Sequence, residues 1–148
     1  MTSASFDLAD LDASDTAALD VRHPATGEPT GWVITFAGPG HPQAVAINDR
    51  AIRKRLREER EQAQARTNGR KWKGENRKPE EVRTENVSFI VDRILGWTPV
   101  AINGVDLQFS RETAMALFAD PRKGWLFTQA LDFVVADDTF TRPSGTTS

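Results

Sequence analysis

The sequence predicts an α+β fold: an N-terminal β-hairpin packed on a mainly helical body, with a small Asn-Gly hairpin before two C-terminal helices. Three observations carry this. Near the start, apolar residues alternate with polar ones and lead into a run of aromatic and β-branched residues, the pattern of paired strands. In the middle, apolar residues recur at three- and four-residue steps, which is helical spacing. Near the end, Asn103-Gly104 sits between short apolar runs, and two N-cap signals follow it. The 148 residues are 39% apolar and 27% charged, which suits one domain with a modest core. No run approaches the ~18–20 apolar residues of a membrane span. Met1 to Leu11 holds two Asp and no base, unlike a cleaved secretory signal. Cysteine is absent, so disulfides, thiolate nucleophiles and sulfur-ligated metals are excluded together.

The elements follow in order. Residues 1–16 read as a flexible acidic arm, docking through Phe6, Leu8 and Leu11. The single domain is then expected over 17–141. Leu19, Val21 and His23 alternate with Asp20 and Arg22 as a half-buried strand. Pro24 to Thr30 is a turn-rich loop, and Gly31 to Phe36 is a second strand with Trp32, Ile34 and Phe36 on one face. Gly38-Pro39-Gly40 ends it. A helix opens near Pro42, with Val45, Ile52 and Leu56 as a narrow apolar stripe that stops at Leu56. Beyond, Arg57 to Arg66 offers only alanines, so this stretch projects into water or onto a partner. Its charge pairs (Lys54–Glu58, Arg55–Glu59, Arg57–Glu61) place the base before the acid, the weaker order, and predict fraying.

A flexible basic loop is expected at about 66–78, since it has no apolar residue but Trp72. Pro79 begins the best-signalled helix, in which Val82, Val87, Ile90, Val91, Ile94 and Leu95 share helical spacing and Gly96 is the stop. Val100 to Leu107 forms the Asn-Gly hairpin. Ser110 caps a helix from Arg111 to Ala119. Asp120-Pro121 then caps and starts a last helix reaching about Val135, apolar almost all round. Residues 142–148 read as a disordered tail. No internal repeat is visible.

Net charge is −2 but unevenly spread. Residues 1–49 carry seven acids and one base; residues 50–83 carry thirteen bases and six acids; the remainder is mildly acidic. Separate segments therefore have separate jobs. Catalytic chemistry is not expected. His23 and His41 each precede Pro and lack any paired-His or His-Glu spacing for a metal. Glu58-Glu59, Glu80-Glu81 and Asp137-Asp138 are adjacent acids on solvated faces, whereas acid–base work needs carboxylates facing one cleft. Neither a phosphate-binding loop nor a Gly-x-Ser-x-Gly elbow is present. No cofactor is implied. Arg70, Lys71, Trp72 and Lys73 are the residues suited to nucleic acid or an acidic partner, offering cations beside one stacking surface.

The stretch Phe109 to Gln129, a helix, then Asp120-Pro121, then a helix with Trp125 and Gln129, resembles the ending of tailed-phage tail assembly chaperones. Arg22-His23-Pro24-Ala25-Thr26-Gly27-Glu28-Pro29 through Gly38-Pro39 is similar to their N-terminal hairpin and its Pro-x-Thr-Gly-Glu turn. The likeness spans roughly Leu19 to Phe140 and rests on the order of short elements; the basic insert near Arg66 to Lys78 departs from it. The resemblance implies a non-catalytic protein of the host bacterial cytoplasm that binds the tape measure protein and helps recruit tail tube protein. Such a holder needs an apolar groove, and Leu117, Phe118, Trp125 and Leu126, flanking the Asp120-Pro121 corner, are the residues to line it. Leu117 is expected nearer the groove and Trp125 nearer the core. Two other readings stand beside this one: a structural protein of the tail or neck retained in the virion, and a small nucleic-acid-binding regulator using the basic loop. Self-association is a further option.

Overall fold

A computed structural model describes Leu8, residues 12–72, residues 78–136 and residues 139–140. The order is β1 (Thr16–Arg22), β2 (Pro29–Ala37), α1 (Pro42–Thr67), α2 (Pro79–Val91), β3 (Ile94–Trp97), β4 (Ala101–Ile102), β5 (Val105–Asp106), α3 (Arg111–Ala119), a short 3₁₀ turn (Pro121–Lys123) and α4 (Gly124–Val135). The class is α+β, as the sequence predicts.

β1 and β2 form the expected antiparallel hairpin, with Leu19 opposite Ile34 and Asp20 opposite Val33. The register shifts before Arg22 meets Pro29, and Gly31 sits within the irregular stretch at φ +87°, a backbone state that suits glycine. Ile34 and Phe36 are fully buried, and Trp32 is half-buried on the same face. The hairpin is not the whole sheet. The helix expected to run from Pro79 to Gly96 stops at Val91, and Ile94 to Trp97 pairs with the other edge of β2. Gly96 is therefore a strand residue opposite Thr35, not a helix stop. Ile94 is buried in either conformation, so its place in the apolar pattern cannot tell them apart; the open edge of β2 decides in favour of the strand.

Helices α2, α3 and α4 cover one side of this sheet. Val87, Ile90 and Val91 of α2, Ala114, Leu117 and Phe118 of α3, and Leu126 and Ala130 of α4 meet Leu19, Val21, Ile34 and Phe36 in one core. Trp97 extends it sideways, standing edge-on to Trp32 at 5.6 Å and to Phe109 at 5.0 Å between ring centroids. The small hairpin β4–β5 turns at Asn103 (φ +52°) and Gly104 (φ +80°), the double positive-φ turn its dipeptide predicts.

The domain begins ahead of residue 17. Ala13 packs on the core, and the Ser14 hydroxyl donates to the Phe140 carbonyl at 2.8 Å. Within the acidic arm Leu8 is exposed, while Phe6 and Leu11 lie outside the described residues, as does the tail from 142.

The long helix α1 departs most from expectation. It reaches Thr67. Val45, Ile52 and Leu56 are not its buried stripe: they are 43%, 47% and 51% exposed. Burial falls to Ala44 and Ile47, roughly 120° around the axis from that stripe. On this inner side, Asn48 accepts from the buried guanidinium of Arg93 at 2.6 Å, and Lys54 pairs with Glu85 of α2 at 2.7 Å. Loss of solvation lowers the Arg93 pKa, partly countered by neighbouring Asp92. The Arg93 side chain also stacks over Phe89 at 4.0 Å. The helix is thus tethered by polar contacts near its start, and its apolar stripe faces solvent.

Candidate functional site

A mostly apolar recess at the Asp120-Pro121 corner lies between α2 and the α3–α4 junction. Its volume is about 390 Å³. Pro79, Val82, Arg83 and Asn86 form one wall, each on the first two turns of α2. Phe118, Pro121, Gly124 and Phe127 form the other, with Val87 between the walls.

Local sequence rules build the corner. Ser110 starts α3 with a reciprocal cap: its hydroxyl accepts from the Thr113 N–H at 3.0 Å, and the Thr113 hydroxyl accepts from the Ser110 N–H at 2.9 Å. α3 ends at Ala119 because Pro121 disfavours helical backbone at the residue before it, and Asp120 is extended (φ −68°, ψ 119°). The Asp120 carboxylate then caps the next turn, accepting from the Arg122 N–H at 3.0 Å and from the Lys123 ammonium at 3.0 Å. These donors hold its pKa down at about 2, the Arg122 amide contributing most. An ionised carboxylate therefore marks the rim of a mostly apolar recess, whose other polar side chains, Arg83 and Asn86, lie on the α2 wall.

The four residues expected to line this groove do not lie together in it. Leu117, Phe118 and Leu126 are buried in the core, and Trp125 is half-buried against it. Phe118 alone also touches the recess. The relative order of Leu117 and Trp125 is the reverse of expectation: Leu117 is the more buried. The reason is helical phase. Leu117 faces the same way as Ala114, inward, whereas Trp125 stands one position from the buried Leu126, about 100° around α4. The sequence reading missed Val82 and Phe127. Val82 is 41% exposed although it sits in the apolar series of α2. It stands five residues before Val87, about 140° around the axis, and that offset was its signal.

The other singled-out residues serve the backbone. His23 Nδ1 accepts from the Ala25 N–H at 3.0 Å in the first hairpin's turn. His41 Nδ1 caps α1, accepting from the Gln43 N–H at 3.1 Å. Among the described residues no group of three or more His, Cys, Asp or Glu could hold a metal ion, and no helix is long and apolar enough to cross a membrane. Arg70 and Lys71 are exposed, while Trp72 folds back so that its indole N–H reaches Glu61 at 3.4 Å. Trp72 is thus half-buried beside the end of α1 rather than presented as an open stacking surface; Lys73 and the acids Asp137 and Asp138 lie outside the described residues. Comparison with protein-family models, curated proteins and solved structures finds no match to this chain.

Proposed function

We propose that the chain is a non-catalytic tail assembly chaperone that binds the tape measure protein and helps recruit tail tube subunits in the host bacterial cytoplasm. The client's identity rests on the resemblance of Arg22–Pro39 and Phe109–Gln129 to that family. The observation that carries the holding role is the recess beside the Asp120-Pro121 corner, apolar yet open. Its volume lies in the ~300–1,000 Å³ range of binding clefts, enough to seat apolar anchors projecting from a client helix. Val82 and Phe127 supply the accessible apolar walls, while Phe118 and Val87 are fixed by the core behind them. The wall at the corner stands on the Ser110-capped α3 and the Asp120-capped turn, which fix its shape without a client.

The test uses Val82→Asp. This side chain is exposed, so the variant should fold with an unchanged circular dichroism spectrum, yet it should fail to keep co-expressed tape measure protein soluble. Client held at the level of the unmodified chain would remove the recess from the reading. Mass spectrometry of purified particles addresses the fate of the protein: a chaperone is absent from them, and finding it there in tail-protein amounts would favour a structural role instead.

A further inference from the structure

Helix α1 presents a second surface that no part of the described domain covers. From Asn48 to Thr67 none of its residues is buried. Val45, Ile52 and Leu56, spaced by seven and four, form one exposed apolar line. Arg50, Arg53, Arg57 and Arg60, spaced by three, four and three, form a second line roughly 100° around the axis and about 15 Å long. Residues 50–57 hold five cations and no anion. Lys54, on the domain side, is paired with Glu85; the four line arginines form no ion pair among the described residues.

We propose that this surface docks an acidic amphipathic helix of a partner protein. The Val45–Ile52–Leu56 line would meet the partner's aliphatic seam, and the arginines beside it would pair with carboxylates along that seam's edge, the arrangement of flanking charges in paired helices. Charge complementarity selects the occupant. Phosphate contacts need cations and draw nothing from three aliphatic side chains set among them. A partner helix also explains why so long a projecting helix is maintained, since isolated helices are marginal in water. None of the recess residues belongs to α1, so this inference stands apart from the client groove.

Fluorescence anisotropy with the full chain tests it. The probe is a labelled peptide of about three heptads with Leu at the seam positions and Glu at the flanking ones. Binding is expected, with Kd raised at least roughly tenfold by Arg53→Glu/Arg57→Glu and likewise by Ile52→Gln/Leu56→Gln. All four side chains are exposed, and circular dichroism should show each variant folded. Val82→Asp should leave the peptide's Kd unchanged. The proposal is overturned by no binding, by equal binding of the peptide with Lys in place of Glu, or by tighter binding of a DNA duplex. It is also overturned if Val82→Asp releases the peptide, or if sedimentation shows self-association that Ile52→Gln/Leu56→Gln abolishes.

Discussion

Truncating Leu117 to alanine removes three carbons from the α3 face that packs against α2 and α4. At ~0.8 kcal/mol per buried CH₂, the transfer contribution alone is about 2.4 kcal/mol. Leu117 is 7% exposed and enclosed by a core that also holds Phe118 and Leu126, so the vacated space cannot fully collapse. Adding the residual cavity brings the expected loss to about 3 kcal/mol, near the low end of buried Leu→Ala changes. For a chain of this length each kcal/mol lowers Tm by ~2–4 °C, so the melting point should fall by about 6–12 °C. Thermal and urea unfolding followed by far-ultraviolet circular dichroism measure this, with Val82→Ala as the exposed control, expected within about 0.5 kcal/mol of the unmodified chain. A Tm change below about 2 °C, combined with lost client binding, would refute the packing and return Leu117 to the groove.

Two further outcomes follow from the structure. Asp120 has its folded-state pKa depressed to about 2 from 3.8, so the stability it supplies is present above pH 3.8 and disappears as pH falls through about 2. The Tm difference between the unmodified chain and Asp120→Asn should therefore shrink across that window; a difference that stays constant would show that the charge contributes nothing. Gly38 donates its N–H to the Asp15 carbonyl at 2.7 Å, and a Cβ there would overlap the Ser14 carbonyl oxygen. Gly38→Ala should accordingly cost about 1–3 kcal/mol in urea unfolding, the usual range for overpacking, and a neutral result would mean that this segment moves aside.

Legibility in the sequence tracks how local each cause is. The Ser110 cap, the Asp120-Pro121 corner and the Asn103-Gly104 turn involve neighbours within a few residues, and all three stand where the sequence places them. Strand β3 was hidden because Ile94 to Trp97 becomes a strand only through β2, some sixty residues earlier in the chain. The solvent exposure of Val45, Ile52 and Leu56 was hidden for a related reason. Spacing identifies which residues of a helix align, but the body settled against the neighbouring side through Ala44 and Ile47. The candidate recess was legible as a corner and misread in its lining, since Leu117 and Leu126 follow the inward phase of their helices while Val82 and Phe127 do not.

Helix α4 also bears on the order of events during synthesis. The Gln129 side chain accepts from the Arg22 N–H at 2.9 Å and donates to the Arg22 carbonyl at 2.8 Å, filling for one residue the place of a missing neighbour strand at the rim of β1. Ser14 and Phe140 close a second link between the same two ends of the domain. β1 is thus completed by a residue made 107 positions later, and until that residue leaves the ribosome the strand's outer edge is open to pairing with other nascent chains. A chain interrupted before Gln129 would retain an intact β1–β2 ladder and lose its guard, so the expected fate of such a fragment is aggregation rather than simple unfolding.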